Sequence, residues 1–385
     1  MKVLVIATGI APTMGGAGHY QRQVLPHLAT CLMARGCEVT LLLSRNGRVP
    51  DLNPQVRVAR LPVSRNPGVI RILAEHLYIP ALGRRADVAV SLDYLLPLFP
   101  IGADRTSVVV QDVLPLQQKQ GVYPVETNVL RHRYYCLAIE ATIKAANLLI
   151  ANSQFTASEI AAIFPAASGR ISVVPLGIDH ERFRPLCASA EIDRVREVYS
   201  LPDQFYLFVG SLSLNKNLRT IVDSYASGYL AKQWMLPVVV VGASRKGNKG
   251  NATLELMDQK GVASYFHFLG YLPDADLPAL YAAARALIHP AWHEGFGFPP
   301  LEAMACGTPV VASNQAAIPE VVGDSALLVD PGSTESLAQA LERVNEGGLR
   351  RQLIERGIKR AAKYSWQQTA EMTAAAVCDA SPASA

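Results

Sequence analysis

Twelve short runs of Val, Ile and Leu recur along the chain and limit what it can fold into. They are VLVIAT, VTLLLS, VAVSL, SVVVQD, LLIANS and ISVVPLG in the first half, then YLFVGSL, VVVVGA, FHFLGY, ALIHPAW, PVVAS and ALLVD in the second. The runs are nearly continuously apolar and do not alternate with polar residues, the pattern of parallel strands covered on both faces. Helical segments fall between most of them, so each half reads as a doubly wound α/β unit. A chain of 385 residues supports two such units. The turn-like GIDHERFRP after Gly177 is the natural seam, giving expected domains 1–178 and 179–363. The stretch 364–377, beginning YSWQQTAEM, reads as a helix that packs back across the seam onto the first domain, and the closing SPASA as a frayed end.

Half of the residues are hydrophobic and 18% are charged, the composition of a globular enzyme and not of a disordered or fibrous chain. The start MKVLVIATGIAP mimics a leader peptide, but its apolar run ends at Thr8-Gly9 without a small-residue cleavage site, so a buried first strand is expected. No apolar stretch reaches the ~18 residues of a membrane-spanning helix. The expectation is a cytoplasmic protein. Its six cysteines are scattered, with no CxxC pair and no histidines at metal-ligand spacing, which points to free thiols and away from structural zinc. Residues 1–180 hold 17 Lys and Arg against 11 Asp and Glu, and the remainder 19 against 21, so the basic excess lies in the first half. That half either faces something acidic or has a basic solvated surface.

Three loops at the ends of strands carry the chemistry. In HEGFGFPPLEAMACGTPVVAS, residues 293–313, the loop Gly295-Phe296-Gly297-Phe298 follows the strand ALIHPAW, and ligands of open α/β sheets bind at such carboxyl ends. Glycines let the backbone approach a bulky anion, and Pro299-Pro300 opens a helix whose N–H groups and dipole favour negative charge. A diphosphate fits. Glu302, read in the first turn of that helix, either caps it or accepts the paired hydroxyls of a ribose. Glu294, on the loop itself, is available to a sugar or its leaving group. In VGSLSLNKNL, residues 209–218, Lys216 stands where a helix begins and can neutralise a departing phosphate without a metal. In TMGGAGHY, residues 13–20, Gly16 and Gly18 lack the third glycine of a dinucleotide fingerprint. The strand VTLLLS ends in Ser44-Arg45 with no acid for a ribose, which argues against NAD and leaves NADP open only through Arg45. Asp274-Ala275-Asp276 spells a DxD metal motif, but its place just ahead of a helical run favours capping.

Together these residues resemble the retaining glycosyltransferases of family 4, with the GT-B fold of two Rossmann-like doubly wound parallel-sheet domains and a cleft between them. The E-x7-E pair Glu294 and Glu302, the GGAG at 15–18, the VGSLSLNKNL loop and the VVPLGID seam fall in the family's order, and the likeness covers nearly the whole chain. It implies that the second domain binds a nucleotide-sugar donor and the first an acceptor. Glu294 and Lys216 would be catalytic. Donor contacts would come from Gly16, Ser211, Lys216, Arg219, Gly295, Phe296, Gly297, Phe298 and Glu302, and acceptor contacts from Gly18, Tyr20, Gln111 and Asp112. The sequence is most similar to bacterial mannosyltransferases of polysaccharide and lipopolysaccharide assembly that use GDP-mannose. It departs from many relatives in having Gln111 in place of histidine, and in having no arginine at Ser211 or Asn215; Arg219, one turn beyond Lys216, is the available substitute.

The resulting expectation is a metal-independent, retaining hexosyltransferase with no cofactor beyond its donor, acting on a glycan or lipid-linked acceptor and binding no nucleic acid. The leaving phosphate would accept the acceptor's proton. The alternatives are a UDP-sugar donor, a metal-dependent transferase using Asp274 and Asp276, a sugar-nucleotide epimerase, or a module that binds nucleotide without turnover. The apolar stretches 69–85 and 130–144 carry Arg71, Arg84, Arg85, Arg131 and Arg133, which suits docking on the anionic inner face of the cell membrane; ordinary core helices are the alternative.

Overall fold

In a computed structural model the described residues are 1–9, 16–49, 51–63, 69–124, 128–186, 189–245 and 251–379. The chain divides into two compact units, Met1–Gly177 with Tyr364–Ala385, and Ile178–Lys363.

The first unit holds seven parallel strands: β1 (Lys2–Ala7), β2 (Glu38–Leu43), β3 (Arg57–Arg60), β4 (Val88–Ser91), β5 (Arg105–Val110), β6 (Leu148–Ala151) and β7 (Ile171–Val173). Their order is β3-β2-β1-β4-β5-β6-β7. Helices α1 (Gly16–Ala34), α2 (Val69–Gly83), α3 (Leu114–Lys119), α4 (Val129–Ala145) and α5 (Gln154–Ile163) connect them. All six strands expected here are present. The seventh, β3, was not expected: RVAR is largely exposed and hydrogen-bonds only to β2, so an edge strand with arginine at both ends shows no apolar run.

The central strands are buried on both faces, Leu4 and Ile6 of β1, Ala89 of β4 and Val108 and Val110 of β5 all lying in one core. Each such Val or Ile contributes roughly 1.5–3 kcal/mol. Helix starts are marked by side-chain caps, Asn128 accepting from the Leu130 amide and Ser153 from the Thr156 amide.

The second unit has six parallel strands, β8 (Tyr206–Val209), β9 (Val238–Val241), β10 (Phe266–Gly270), β11 (Ala286–His289), β12 (Val310–Ser313) and β13 (Leu327–Val329), in the order β10-β9-β8-β11-β12-β13. Helices α6 (Ser189–Val198), α7 (Leu218–Ala226), α8 (Ala252–Gln259), α9 (Leu277–Ala283), α10 (Phe298–Ala305), α11 (Ile318–Val322), α12 (Thr334–Arg343) and α13 (Gly347–Ala361) surround it. The sheets share one plan. Strands run outward in one direction and then resume on the other side, so β1 and β4 flank one switch point and β8 and β11 the other. Loops leaving neighbouring strands diverge there and open a crevice.

The last helix, α14 (Trp366–Asp379), belongs to the first unit. The Trp366 ring lies 5.9 Å from that of Tyr20 and 6.2 Å from that of His19, and Thr369 Oγ1 donates to the Pro175 carbonyl at 2.8 Å. Gly177 is required by this packing, because a Cβ there would stand 2.2 Å from the Trp366 amide nitrogen.

Candidate active site

The switch point of the second sheet is built by two stitched loops. After β8, a 3-10 turn over Leu214–Lys216 ends in Asn217, whose φ of 58 is left-handed, a conformation asparagine tolerates better than most residues. Asn217 is buried, and its Nδ2 donates to the carbonyls of Pro290 and Pro331 at 2.9 Å each. The Trp292 amide donates to Asn215 O at 2.8 Å, and Asn215 Nδ2 to His293 O at 3.3 Å. The β8–α7 loop is thereby tied to the β11–α10 loop. The consequence is a fixed encounter: Lys216 Nζ donates to Glu294 Oε1.

Glu294 is further anchored through its backbone, its carbonyl accepting from the Ala317 amide at 3.2 Å. His289, at the end of β11, places Nε2 3.2 Å from Glu294 Oε1, within Coulombic reach but without the alignment of a hydrogen bond. Burial pushes the Glu294 carboxyl up, and Lys216 and His289 overcome this and hold it well below the usual carboxylate range. Glu294 is therefore an ionised carboxylate opposed by a lysine.

The glycine-rich loop has a steric reason at one position. Gly297 has φ 111, and a Cβ there would lie 2.7 Å from Ile318 Cδ1. Phe296 and Phe298 pack edge to face at 5.6 Å. One expectation is corrected here. Prolines at 299 and 300 have no N–H, and the Leu301 amide donates to Gly297 O at 3.4 Å, so the first turn of α10 offers an anion far fewer amides than a proline-free helix would.

Glu302 is also relocated, to the second turn of α10, where it caps nothing. Its Oε2 accepts from the buried Tyr281 hydroxyl at 2.7 Å. Burial raises its carboxyl to about 7, against the opposing effects of Tyr281 and Arg182. The DxD segment is corrected likewise: Asp276 sits at the N-cap position of α9, but its side chain makes no capping hydrogen bond. Asp276 takes Arg194 Nη2 at 2.5 Å and the Tyr199 hydroxyl, and Asp274 pairs with Arg182 at 3.8 Å.

Two other expected donor residues have side-chain partners of their own, and a third belongs to the first unit. Ser211 is exposed and shares a 2.7 Å hydrogen bond with Ser213, and Arg219 is exposed and paired with Asp223 at 3.4 Å. Gly16 begins α1 in the first unit. Of the expected acceptor residues, Gly18 and Tyr20 lie within α1, and Tyr20 is 1% exposed, its phenol pushed upward by burial. Tyr20 is thus buried against Trp366 of α14. Gln111 and Asp112 follow β5 half-buried; Asp112 Oδ1 accepts from the Leu114 amide at 3.0 Å, and its carbonyl from the Tyr94 hydroxyl. The residues 13–15 of the glycine-rich stretch lie outside the described residues.

Three residues escaped the sequence reading. His289 was visible as a lone polar residue ending an apolar strand, and Asp93 as an acid just past VAVSL. Tyr281 had no signal, because its pairing with Glu302 spans 21 residues.

Two family models match: Glycosyltransferase Family 4 over residues 21–182 and glycosyl transferases group 1 over 190–360. The O-antigen chain mannosyltransferase B of Escherichia coli is 33% identical over 63% of this chain and 63% of its own length. The serotype-specific mannosyltransferase WbdA of Escherichia coli is 30% identical over 70% of this chain but only 32% of its own, so the chain spans less than two thirds of either relative. Among solved structures, sucrose-phosphate synthase from Thermosynechococcus elongatus superposes with a TM-score of 0.72 at 22% identity, covering 96% of both chains. WaaG, a glycosyltransferase involved in lipopolysaccharide biosynthesis, gives 0.71 at 21% identity, covering 97% of this chain and 99% of WaaG. The chain carries a Glycosyltransferase Family 4 domain over most of its first unit and a group 1 glycosyl transferase domain over most of its second, each on a parallel Rossmann-like sheet.

Proposed function

We propose that this protein is a hexosyltransferase that moves mannose from GDP-mannose, with retention and without a metal, to a glycan or lipid-linked acceptor of cell-surface polysaccharide. The observation that carries the reading is Lys216 opposite the ionised Glu294 at the β8/β11 switch point. A lysine there stabilises the charge that develops on a departing diphosphate, a contact worth on the order of 10²–10³ in rate. Glu294, kept anionic, faces the transferred sugar. The acceptor hydroxyl attacks the anomeric carbon from the face the nucleotide leaves, and its proton passes to the leaving phosphate. The engagement of Asp276 by Arg194 and Tyr199 favours a lysine over a DxD-bound metal as the countercharge. The mannosyltransferase relatives support the choice of sugar, and the acceptor is assigned to the first unit.

Thermal-shift measurement with GDP, UDP, ADP and dTDP sugars tests the donor. GDP-mannose at 100 times its Kd should stabilise by about 2.7 kcal/mol. A larger shift with a UDP sugar would replace the donor, and no shift with any would overturn the reading. Retention is checked by NMR of the anomeric configuration of the product.

A further inference from the structure

His289 is a buried titratable residue that the transfer step leaves unused. It is fully buried; Nδ1 has no hydrogen-bond partner, and Nε2 reaches only toward Glu294, without full alignment. A buried donor or acceptor without a good partner is costly, so the position calls for a state in which the ring is fully engaged. Nε2 lies 3.2 Å from Glu294 Oε1, the oxygen that also receives Lys216. One carboxylate oxygen is therefore shared by two nitrogenous side chains, one aligned with it and one waiting.

The proposed function makes that arrangement consequential, and the role assigned to His289 rests on Lys216 being the diphosphate ligand. A sugar nucleotide is ionised at both phosphoryl groups and competes with Glu294 for the lysine. Once Lys216 turns to the diphosphate, a largely buried carboxylate is left without its counter-ion, which is strongly unfavourable if nothing replaces it. We infer that His289 takes over Glu294 when Lys216 turns to the donor, binding one proton from solvent and forming an imidazolium–carboxylate pair that keeps Glu294 ionised and oriented toward the sugar. His289 is a positioning residue: it acts through Glu294 and touches no reacting atom.

Among the described residues, the elements next to β11 carry these charged and titratable groups. The loop after β11 brings Glu294 and His293, the loop after β8 brings Lys216, and α10 brings Glu302, already committed to Tyr281. Strand β12 is uncharged, and the Tyr206 hydroxyl of β8 accepts from Asn345.

Calorimetric titration with GDP-mannose, and with UDP-glucose in parallel, in buffers of low and high ionisation enthalpy and without acceptor, counts the protons. The expected result is uptake of about one proton per donor bound, with affinity falling up to about tenfold per pH unit where the uptake is complete. His289→Gln should abolish the uptake and flatten the profile. Lys216→Gln should abolish it too, because the ring then serves Glu294 before the donor arrives. His289→Phe should fold at least as stably as the parent while binding donor more weakly, which a purely structural histidine would not do. Donor binding without proton uptake, or uptake unchanged in His289→Gln, overturns the inference and leaves the Lys216 reading standing. Failure of both nucleotide sugars to bind removes both.

Discussion

The two sheets open at equivalent switch points, and each puts a carboxylate there, yet the carboxylates are used in opposite ways. In the first unit Asp93, just past β4, accepts the Thr8 and Gly9 amides at 2.6 Å each and Gln21 Nε2 at 2.8 Å, and its Oδ2 lies 2.8 Å from the Thr8 hydroxyl. Its partners bracket the β1–α1 loop, Thr8 and Gly9 on its incoming side and Gln21 in the helix that leaves it. In the second unit Glu294 meets a lysine and a histidine, and its ionised charge is retained for use. Topology supplies the crevice, and the partners of each acid decide whether it is spent on neutral donors that hold a loop or set against charged side chains.

The sharpest way to break this contrast is to exchange the consequences. Lys216→Gln and Glu294→Gln should each cut turnover at least about a hundredfold. The double variant, which leaves no unmatched charge, should unfold in urea near the parent's midpoint. Asp93→Ala should instead cost on the order of 3 kcal/mol of stability, since two amides lose their acceptor. A fully stable Asp93→Ala, or near-normal turnover in either Gln variant, would sink the distinction.

A second contrast lies within the EGFGFPPLE segment. Glu302 has its pKa raised from 4.5 to about 7 by burial, so the folded state holds the proton more tightly than the unfolded one. Stability must then fall as pH rises from about 4.5 to about 7, by on the order of 3 kcal/mol in all. Glu294 has the opposite sign: its contribution is present above its unfolded value of 4.5 and is lost as pH falls below it. Glu302→Gln, which still accepts from Tyr281, should flatten the stability profile between pH 4.5 and 7 in urea unfolding. An unchanged slope would show that Glu302 is ionised at neutral pH.

How much the sequence made legible depends on how local each feature is. Buried parallel strands announce themselves because both faces must be apolar, and β1 or β9 could hardly be read otherwise. Strand β3 was silent because an edge strand buries little. Lys216 and Glu294 were found because strand ends and glycines mark ligand loops, but their contact depends on Asn217 and Asn215, which join loops 73 to 78 residues apart. Glu302 was misread by one helical turn because α10 begins at Phe298, after a glycine whose φ no spacing rule reveals. The aspartates of the DxD look like caps in sequence and are ion-pair partners in space.

Those ion pairs give a smaller effect. Asp276→Asn should cost roughly 1–2 kcal/mol by weakening the Arg194 and Tyr199 bonds, with turnover retained in excess EDTA. Activity lost in EDTA and restored by Mn²⁺ would return the DxD to the reaction and demote Lys216.

The smallest effect per residue concerns surfaces, where the units again differ. The first unit exposes Leu73, Leu77 and Tyr78 on α2, Leu98 and Phe99 after β4, and Val129, Leu130 and Leu137 on α4, a denser set of bare apolar side chains than the second unit carries. The His76 and Phe99 rings meet at 5.8 Å, so the α2 residues and the Leu98-Phe99 loop form one surface. Arg84, Arg85, Arg131 and Arg133 are all exposed, while the side chain of Arg71 lies outside the described residues. Among the described residues no helix is long and apolar enough to cross a membrane. Docking on this surface would insert apolar side chains and set arginines on anionic headgroups. Each arginine then contributes on the order of 1 kcal/mol, about a fivefold change in partitioning. Sedimentation with phosphatidylglycerol vesicles should show binding that weakens with salt and falls stepwise as the four arginines are changed to Ser, while Leu73→Ser with Leu77→Ser weakens it without altering the salt dependence. Equal recovery on neutral and anionic vesicles would leave the basic excess of the first half as ordinary solvated surface.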